Sequence, residues 1–322
     1  MAEADDSIAR ALSPFLRIHK DGRVERLMGT DRVPPSMDPA SPVLSKDVVV
    51  SPEPAISVRL YLPNSPSPSS PKLPVLVYFH GGGFVIETTE SPTYHNYLSA
   101  LAAEARVVVV SVEYRRAPEH PLPAAYDDSW AAIKWVGAHS SGQGHEGWLN
   151  DHADLTRVYF GGDSAGANIA HHMGLRFGEI ESSNGTGIGI DLAGLILVHP
   201  YFWGDDPLPE EATEPERRAL LEGLWRLANP TATGCDDPHI NPAKDPGLLK
   251  MGCSRVLVCV AEEDPGRQRG WHYKEVMEKC GWKGEVEVTE AKGEGHVFHL
   301  MNPASENSVA MMKRLVKFMN NQ

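Results

Sequence analysis

Apolar residues along this chain fall into two kinds of pattern. Val75–Phe79, Val107–Val112, Val158–Phe160, Leu195–Val198 and Val256–Val260 are short, nearly continuous runs rich in β-branched residues. A strand with one wet face would alternate, so these runs read as strands buried on both faces, as in a parallel sheet. Val58-Arg59-Leu60-Tyr61-Leu62 does alternate and pairs with Val48–Val50 as an early antiparallel hairpin. Glu285-Val286-Glu287-Val288-Thr289 alternates too, as an outer strand should. Helical patterns lie between them at about 92–104, 124–138, 164–177, 270–281 and 304–320. Strands alternating with helices predict βαβ units, and so a mostly parallel eight-stranded sheet flanked by helices.

Two stretches break this rhythm. Residues 1–45 contain a turn signal, Lys20-Asp21-Gly22. Residues 202–230 carry Trp203, Leu220, Leu221, Leu224 and Trp225 on one side of a helical insertion. The expectation is that the two pack together as a helical cap over the carboxyl edge of the sheet, within one domain spanning 1–322. The Pro/Ser-rich stretch Pro63–Pro74 reads as an exposed connection.

Composition narrows the function. A chain of 322 residues, 41% hydrophobic, buries a large core without needing a staple. Its net charge of −13 opposes binding to nucleic acid or to an anionic membrane surface. No apolar run approaches the ~20 residues of a membrane span. Cys235, Cys253, Cys259 and Cys280 form no C-x-x-C pair, and Met1–Asp6 is acidic where a targeting peptide would be basic. A reduced, cytoplasmic protein is expected, present as a monomer or homodimer. The Asn184-Gly185-Thr186 glycosylation pattern then reads as chance.

The candidate chemistry sits at strand ends. Gly162-Asp163-Ser164-Ala165-Gly166 follows one strand and opens a helix, the setting in which a G-x-S-x-G turn lifts a nucleophilic serine above a sheet. The turn is tight enough to need small flanking residues, hence Gly162 and Gly166. His80-Gly81-Gly82-Gly83 follows another strand, where glycines let the backbone aim N–H groups at one point. Gly82, Gly83 and Ala165 are therefore the expected oxyanion donors. A serine needs a base, and in this chain order the acid and then the histidine lie downstream. Asp264, after the Val256–Val260 run, and His296, in a glycine-containing loop, fill those places ahead of Glu262, Glu263 and His299. His171 and His172 are expected to face different sides of a helix, which does not suit chelation. No metal or cofactor is expected. Phe84, Val85, Ile86, Tyr201 and Trp203 are candidates for substrate contact.

With these residues placed, the chain resembles a plant carboxylesterase of the hormone-sensitive-lipase-like group of α/β-hydrolases, over nearly its whole length. The resemblance rests on His80-Gly81-Gly82-Gly83-Phe84, Tyr114-Arg115-Arg116-Ala117-Pro118-Glu119-His120-Pro121, Tyr126-Asp127-Asp128-Ser129-Trp130, Gly162–Asn168, His199-Pro200-Tyr201-Phe202-Trp203 and Gly295-His296-Val297-Phe298. It implies an α/β-hydrolase fold with a cap, and hydrolysis of short, uncharged esters through an acyl-serine. It also implies that Tyr114–His120 and Asp127 brace loops around the site. The family includes hydroxyisoflavanone dehydratases, alkaloid cyclases and gibberellin receptors. A lyase, a cyclase and a non-catalytic hormone receptor are therefore the alternatives. One departure lies after the acid, where relatives carry leucines and a second Asp but this chain reads Asp264-Pro265-Gly266-Arg267-Gln268-Arg269-Gly270.

Overall fold

A computed structural model of the chain describes residues 7–37, 41–64, 71–183, 187–209, 211 and 214–320. The glycosylation pattern at 184–186, residues 65–70 of the proline-rich connection and the acidic 1–6 stretch lie outside them.

The eight-stranded sheet runs β11-β10-β9-β8-β6-β7-β5-β4. Its strands are β4 (Val43–Pro52), β5 (Ala55–Pro63), β6 (Leu73–Phe79), β7 (Val108–Glu113), β8 (Ala153–Asp163), β9 (Leu192–Val198), β10 (Arg255–Ala261) and β11 (Glu285–Ala291). Only β5 opposes its neighbours, pairing antiparallel with β4 and β7; every other pair is parallel. The continuous apolar runs are explained by what covers them. Val75, Val77 and Phe79 face one core layer, with Ile133 and Val136 of α2 (Ala124–Ala138) and Ile169 and Met173 of α4 (Ala165–Ser182). Tyr273 of α6 (Arg267–Lys279) joins that layer. Leu76 and Tyr78 face the other, with Leu98 and Leu101 of α1 (Pro92–Ala105) and Leu315 and Phe318 of α8 (Glu306–Asn320). The short helices α3 (Gly147–His152) and α7 (Phe298–Met301) lead into β8 and α8.

One expectation fails at the N-terminus. The stretch expected as a helical cap is a three-stranded antiparallel meander, β1 (Ile8–Leu12), β2 (Leu16–His19) and β3 (Val24–Arg26). The Lys20-Asp21-Gly22 turn dictates this: Gly22 sits at φ 87° and the Asp21 carboxylate accepts the Arg23 N–H at 2.9 Å, closing a hairpin. Within 202–230 the described helix is α5, Pro215–Ala228. Arg10 of β1 donates to the carbonyl of Gly223 in α5 (3.2 Å), and Leu12, Leu16, Leu224 and Trp225 are all buried in the larger core layer.

Strand order reverses between β6 and β8, which are adjacent although β7 intervenes in sequence. The loops leaving their carboxyl ends diverge there and open a crevice, the general location of ligand sites in such sheets.

Candidate active site

The loop after β8 holds Ser164 at φ 52°, ψ −118°, as the residue before α4. This conformation is imposed by close packing. A Cβ on Gly166 would lie 1.9 Å from the carbonyl oxygen of Phe79, and one on Gly162 would lie 2.4–2.5 Å from the Gly166 backbone. The Ser164 N–H donates to the carbonyl of Val198 at 2.9 Å, while its own carbonyl accepts from Asn168 and Tyr201. The hydroxyl is thus fixed at the mouth of the crevice.

His296 Nε2 lies 3.0 Å from Ser164 Oγ, and its Nδ1 lies 2.9 Å from Asp264 Oδ2. The other Asp264 oxygen accepts the N–H of Gly266 at 2.9 Å. With Asp264 ionised, Nδ1 carries the ring proton and Nε2 is left to accept from the serine. Burial disfavours the Asp264 charge, but the facing His296 and its hydrogen bond hold the carboxyl below its ordinary range. Burial likewise works against a charged His296, yet Asp264 carries its pKa above the ordinary 6.5. The divergent segment at 264–270 forms a turn and then starts α6 at Arg267, so the acid keeps its place at the end of β10. Glu262 turns away to Lys292 and the N–H of Gly293, and His299 is buried against Tyr97.

The glycine loop after β6 is a compact turn in which the Gly82 carbonyl accepts from Val85 and Ile86. Gly82, at φ 98°, admits no side chain, since a Cβ would meet the Ile86 carbonyl at 2.5 Å. Among the described residues the N–H groups of Gly82, Gly83 and Ala165 have no acceptor. Tyr114 fastens the loop from below, donating to the carbonyl of His80 at 2.7 Å and stacking on its ring at 4.3 Å. A further support was not visible in the sequence. Asp163 is fully buried and accepts from Tyr78 and Tyr94, both at 2.8 Å. Tyr94 in turn accepts the N–H of Gly81 at 2.8 Å. Burial pushes the Asp163 carboxyl up to about 6, against those two hydrogen bonds. Asp163 links the serine turn to the glycine loop through residues 69 and 85 positions away, which no local motif announces.

Two cavities meet at Ser164 and His296. The first, about 730 Å³, is walled by the glycine loop, Ile86, Glu87, Thr93 and Tyr94, by Phe15 and Met28 of the N-terminal segment, and by Leu221, Leu224, Leu300 and Met301. The second, about 580 Å³, is walled by Tyr201, Phe202, Trp203, Arg217, Leu220 and the Asp264–Gly266 turn. Of the residues expected to contact substrate, Ile86, Tyr201 and Trp203 line these cavities. Phe84 and Val85 do not: the tight turn at Gly82–Gly83 drives both into the core, with Phe84 against Tyr126, Tyr201 and Trp225. Asp127 is also displaced from its expected role. It is exposed and pairs with Arg176, and the neighbouring Asp128, buried, holds the N–H and guanidinium of Arg115.

Among the described residues, two side-chain groups bring ligand-type atoms within 4.8 Å of one another: His199 with Asp264 and His296, and His171 with His172 and Asp245. In the first, the three are already committed, since burial lowers His199 to about 3 and its Nδ1 accepts from Val297. In the second, the His171 and His172 rings touch edge-on at 4.9 Å, His171 packing on Phe202 and Tyr273 and His172 on Tyr126 and His239. Each still has its own partner, Tyr273 and the carbonyl of His239 respectively.

Comparison with known proteins follows the same lines. A family model described as alpha/beta hydrolase fold matches residues 76–300. Probable carboxylesterase 13 of Arabidopsis thaliana is 50% identical, over 98% of each chain. Tuliposide A-converting enzyme 1 of Tulipa gesneriana, named as chloroplastic, is 47% identical over 98% of this chain and 79% of its own. Among solved structures, the hyperthermophilic esterase of Pyrobaculum calidifontis superposes with a TM-score of 0.69 at 26% identity, covering 85% of this chain and 84% of its own.

Proposed function

This chain belongs to the α/β-hydrolase family, in the group of plant carboxylesterases, and we propose on that footing that it is a serine carboxylesterase. The observation that carries the reading is the unbroken hydrogen-bonded series Ser164–His296–Asp264 beside three acceptor-free N–H groups. An ester carbonyl oxygen placed on Gly82, Gly83 and Ala165 gains its full hydrogen bonding only when it becomes an oxyanion. Ser164 attacks as His296 takes its proton. His296 then returns that proton to the departing alcohol, and water hydrolyses the acyl-serine by the reverse path. No step needs a metal or cofactor.

The mostly carbon walls of the larger cavity favour short, uncharged acyl chains. We read β1–β3 and α5 as the cap of a single-domain enzyme, since both supply those walls. Four cysteines without a disulfide fit a reducing compartment, of which the cytoplasm is the simplest. Among the described residues no helix is long and apolar enough to cross a membrane.

A lyase or cyclase would need the base and the oxyanion site but no acyl-serine, and a receptor would need neither. Hydrolysis of a short-chain p-nitrophenyl ester by wild type and Ser164→Ala, side by side, separates them. Turnover that vanishes in the variant supports the esterase. Turnover indifferent to Ser164, or none in either protein, would falsify it.

A further inference from the structure

The two cavities at Ser164 differ in charge as well as size. In the larger, the Glu87 carboxylate lies beside the glycine loop, and one of its oxygens is buried with no hydrogen-bond partner. An anion brought there would meet that carboxylate. The smaller cavity has the opposite character. Helix α5 carries three arginines, and two of them, Arg218 and Arg226, are tied to Glu222. The third, Arg217, has no hydrogen-bond or ion-pair partner among the described residues, and it lines the smaller cavity. Its charge reaches the reacting centre, since it opposes protonation of His296. The other walls there include Tyr201, Phe202, Trp203, Leu220 and Leu221, and Asp264 directs one oxygen to His296 Nδ1 and the other to the N–H of Gly266. An unpaired guanidinium beside apolar walls is a fork for a carboxylate.

We propose that Arg217 makes the smaller cavity a subsite for a substrate carboxylate, so that the preferred esters carry an acidic group on the half of the molecule lying there. This rests on the esterase reading but extends it: the half in the larger cavity is uncharged, and its partner across the scissile bond is anionic. Glu214 and Glu216 flank Arg217 on the exposed side of α5, and the protein as a whole is acidic. Selection is therefore local, exerted within a Debye length of about 8 Å.

The test compares matched pairs that differ only in the charged group. One pair puts it on the acyl half, p-nitrophenyl hemiglutarate against p-nitrophenyl valerate. The other puts it on the alcohol half, 4-carboxyphenyl acetate against phenyl acetate. For at least one pair, kcat/KM in the wild type should favour the carboxylate by ~3- to 10-fold, the range of a partly exposed charge-assisted contact. In Arg217→Gln that ratio should fall to about one or below, and in Arg217→Lys it should be partly kept. Ratios within one variant cancel any effect on the base. The same comparison is made without catalysis, by calorimetric binding of glutarate monoanilide and valeranilide to the Ser164→Ala protein and to its Arg217→Gln double variant. Preference in both ester pairs absent from the wild type, or surviving intact in Arg217→Gln, would overturn the proposal. Neutral esters left untouched by wild type would instead count against the esterase reading, and the calorimetry would still decide the subsite.

Discussion

At φ 52° and ψ −118°, Ser164 occupies backbone space that an L side chain adopts only under constraint. Function keeps a side chain where glycine fits better. Ser164→Gly should therefore raise the unfolding free energy by about 1 kcal/mol while abolishing turnover, whereas Ser164→Ala should abolish turnover at unchanged stability. Urea unfolding of the three proteins decides it, and equal stability of the Gly and Ala variants would mean the turn carries no strain. His296 is where several charges meet. Burial and Arg217 oppose its protonation, Asp264 and Asp163 favour it, and the balance lies above 6.5. The base works only when neutral, so kcat/KM should fall as pH drops through that raised value. Asp264→Asn removes the main raising influence, so the acid limb should move to lower pH while the plateau falls by roughly 10⁴-fold. A limb that stays in place would belong to another group, of which Asp163, near 6, is the first candidate.

The central strands were legible because burial on both faces leaves a continuous apolar run, and the site was legible because Ser164, the glycine loop and Asp264 directly follow such runs and His296 lies in the loop after the alternating β11. Gly162, Gly166 and Gly82 announced the tight turns for the same local reason. Elements without such a run were not legible. The residues of β1–β3 are mostly exposed or half-buried, and each strand is only three to five residues long, too short to show a period. Distant polar pairs were equally hidden. Arg269 of α6 forms a bidentate pair with Glu211, 58 residues earlier, at 2.7 and 2.8 Å, and both side chains are almost completely buried. This pair fixes the segment before α5 to the sheet's helical layer, with the guanidinium also over Trp203. Arg269→Met leaves Glu211 charged and buried, so stability should drop by about 3–5 kcal/mol. Adding Glu211→Leu should recover most of it, because two apolar groups can replace a buried pair at little net cost. A double variant no more stable than the single one would mean that the pair's geometry, and not its charge balance, holds the segment.

For the whole molecule, the question is how a rigid sheet is joined to the two segments that roof its site. The N-terminal sheet is fastened at both ends. Arg26 of β3 donates to the carbonyl of Val85 at 2.7 Å and forks onto Glu119 at 2.7 and 2.8 Å, so it is anchored to the glycine loop and its neighbour. At the other end β1 meets α5 at Gly223, where a Cβ would lie 3.1 Å from Leu12 and where Arg10 binds the carbonyl. Helix α5 is held to the scaffold by Tyr201, whose hydroxyl donates to the carbonyl of Leu221 at 2.5 Å. Phe15 and Met28 come from the first segment, and Leu221 and Leu224 from the second, so the larger cavity exists only while both are docked. The triad and the glycine loop belong to the sheet and do not depend on that docking. Gly223→Leu forces a bulky side chain between β1 and α5, and Arg26→Ala releases the other end. Both variants should therefore raise KM for p-nitrophenyl butyrate several-fold while leaving p-nitrophenyl acetate, which barely reaches the roof, much less affected. Unfolding should remain a single transition governed by the eight-stranded core. If acetate and butyrate suffered alike, the damage would have reached the triad, and the roof would be part of the catalytic scaffold and not a wall laid over it.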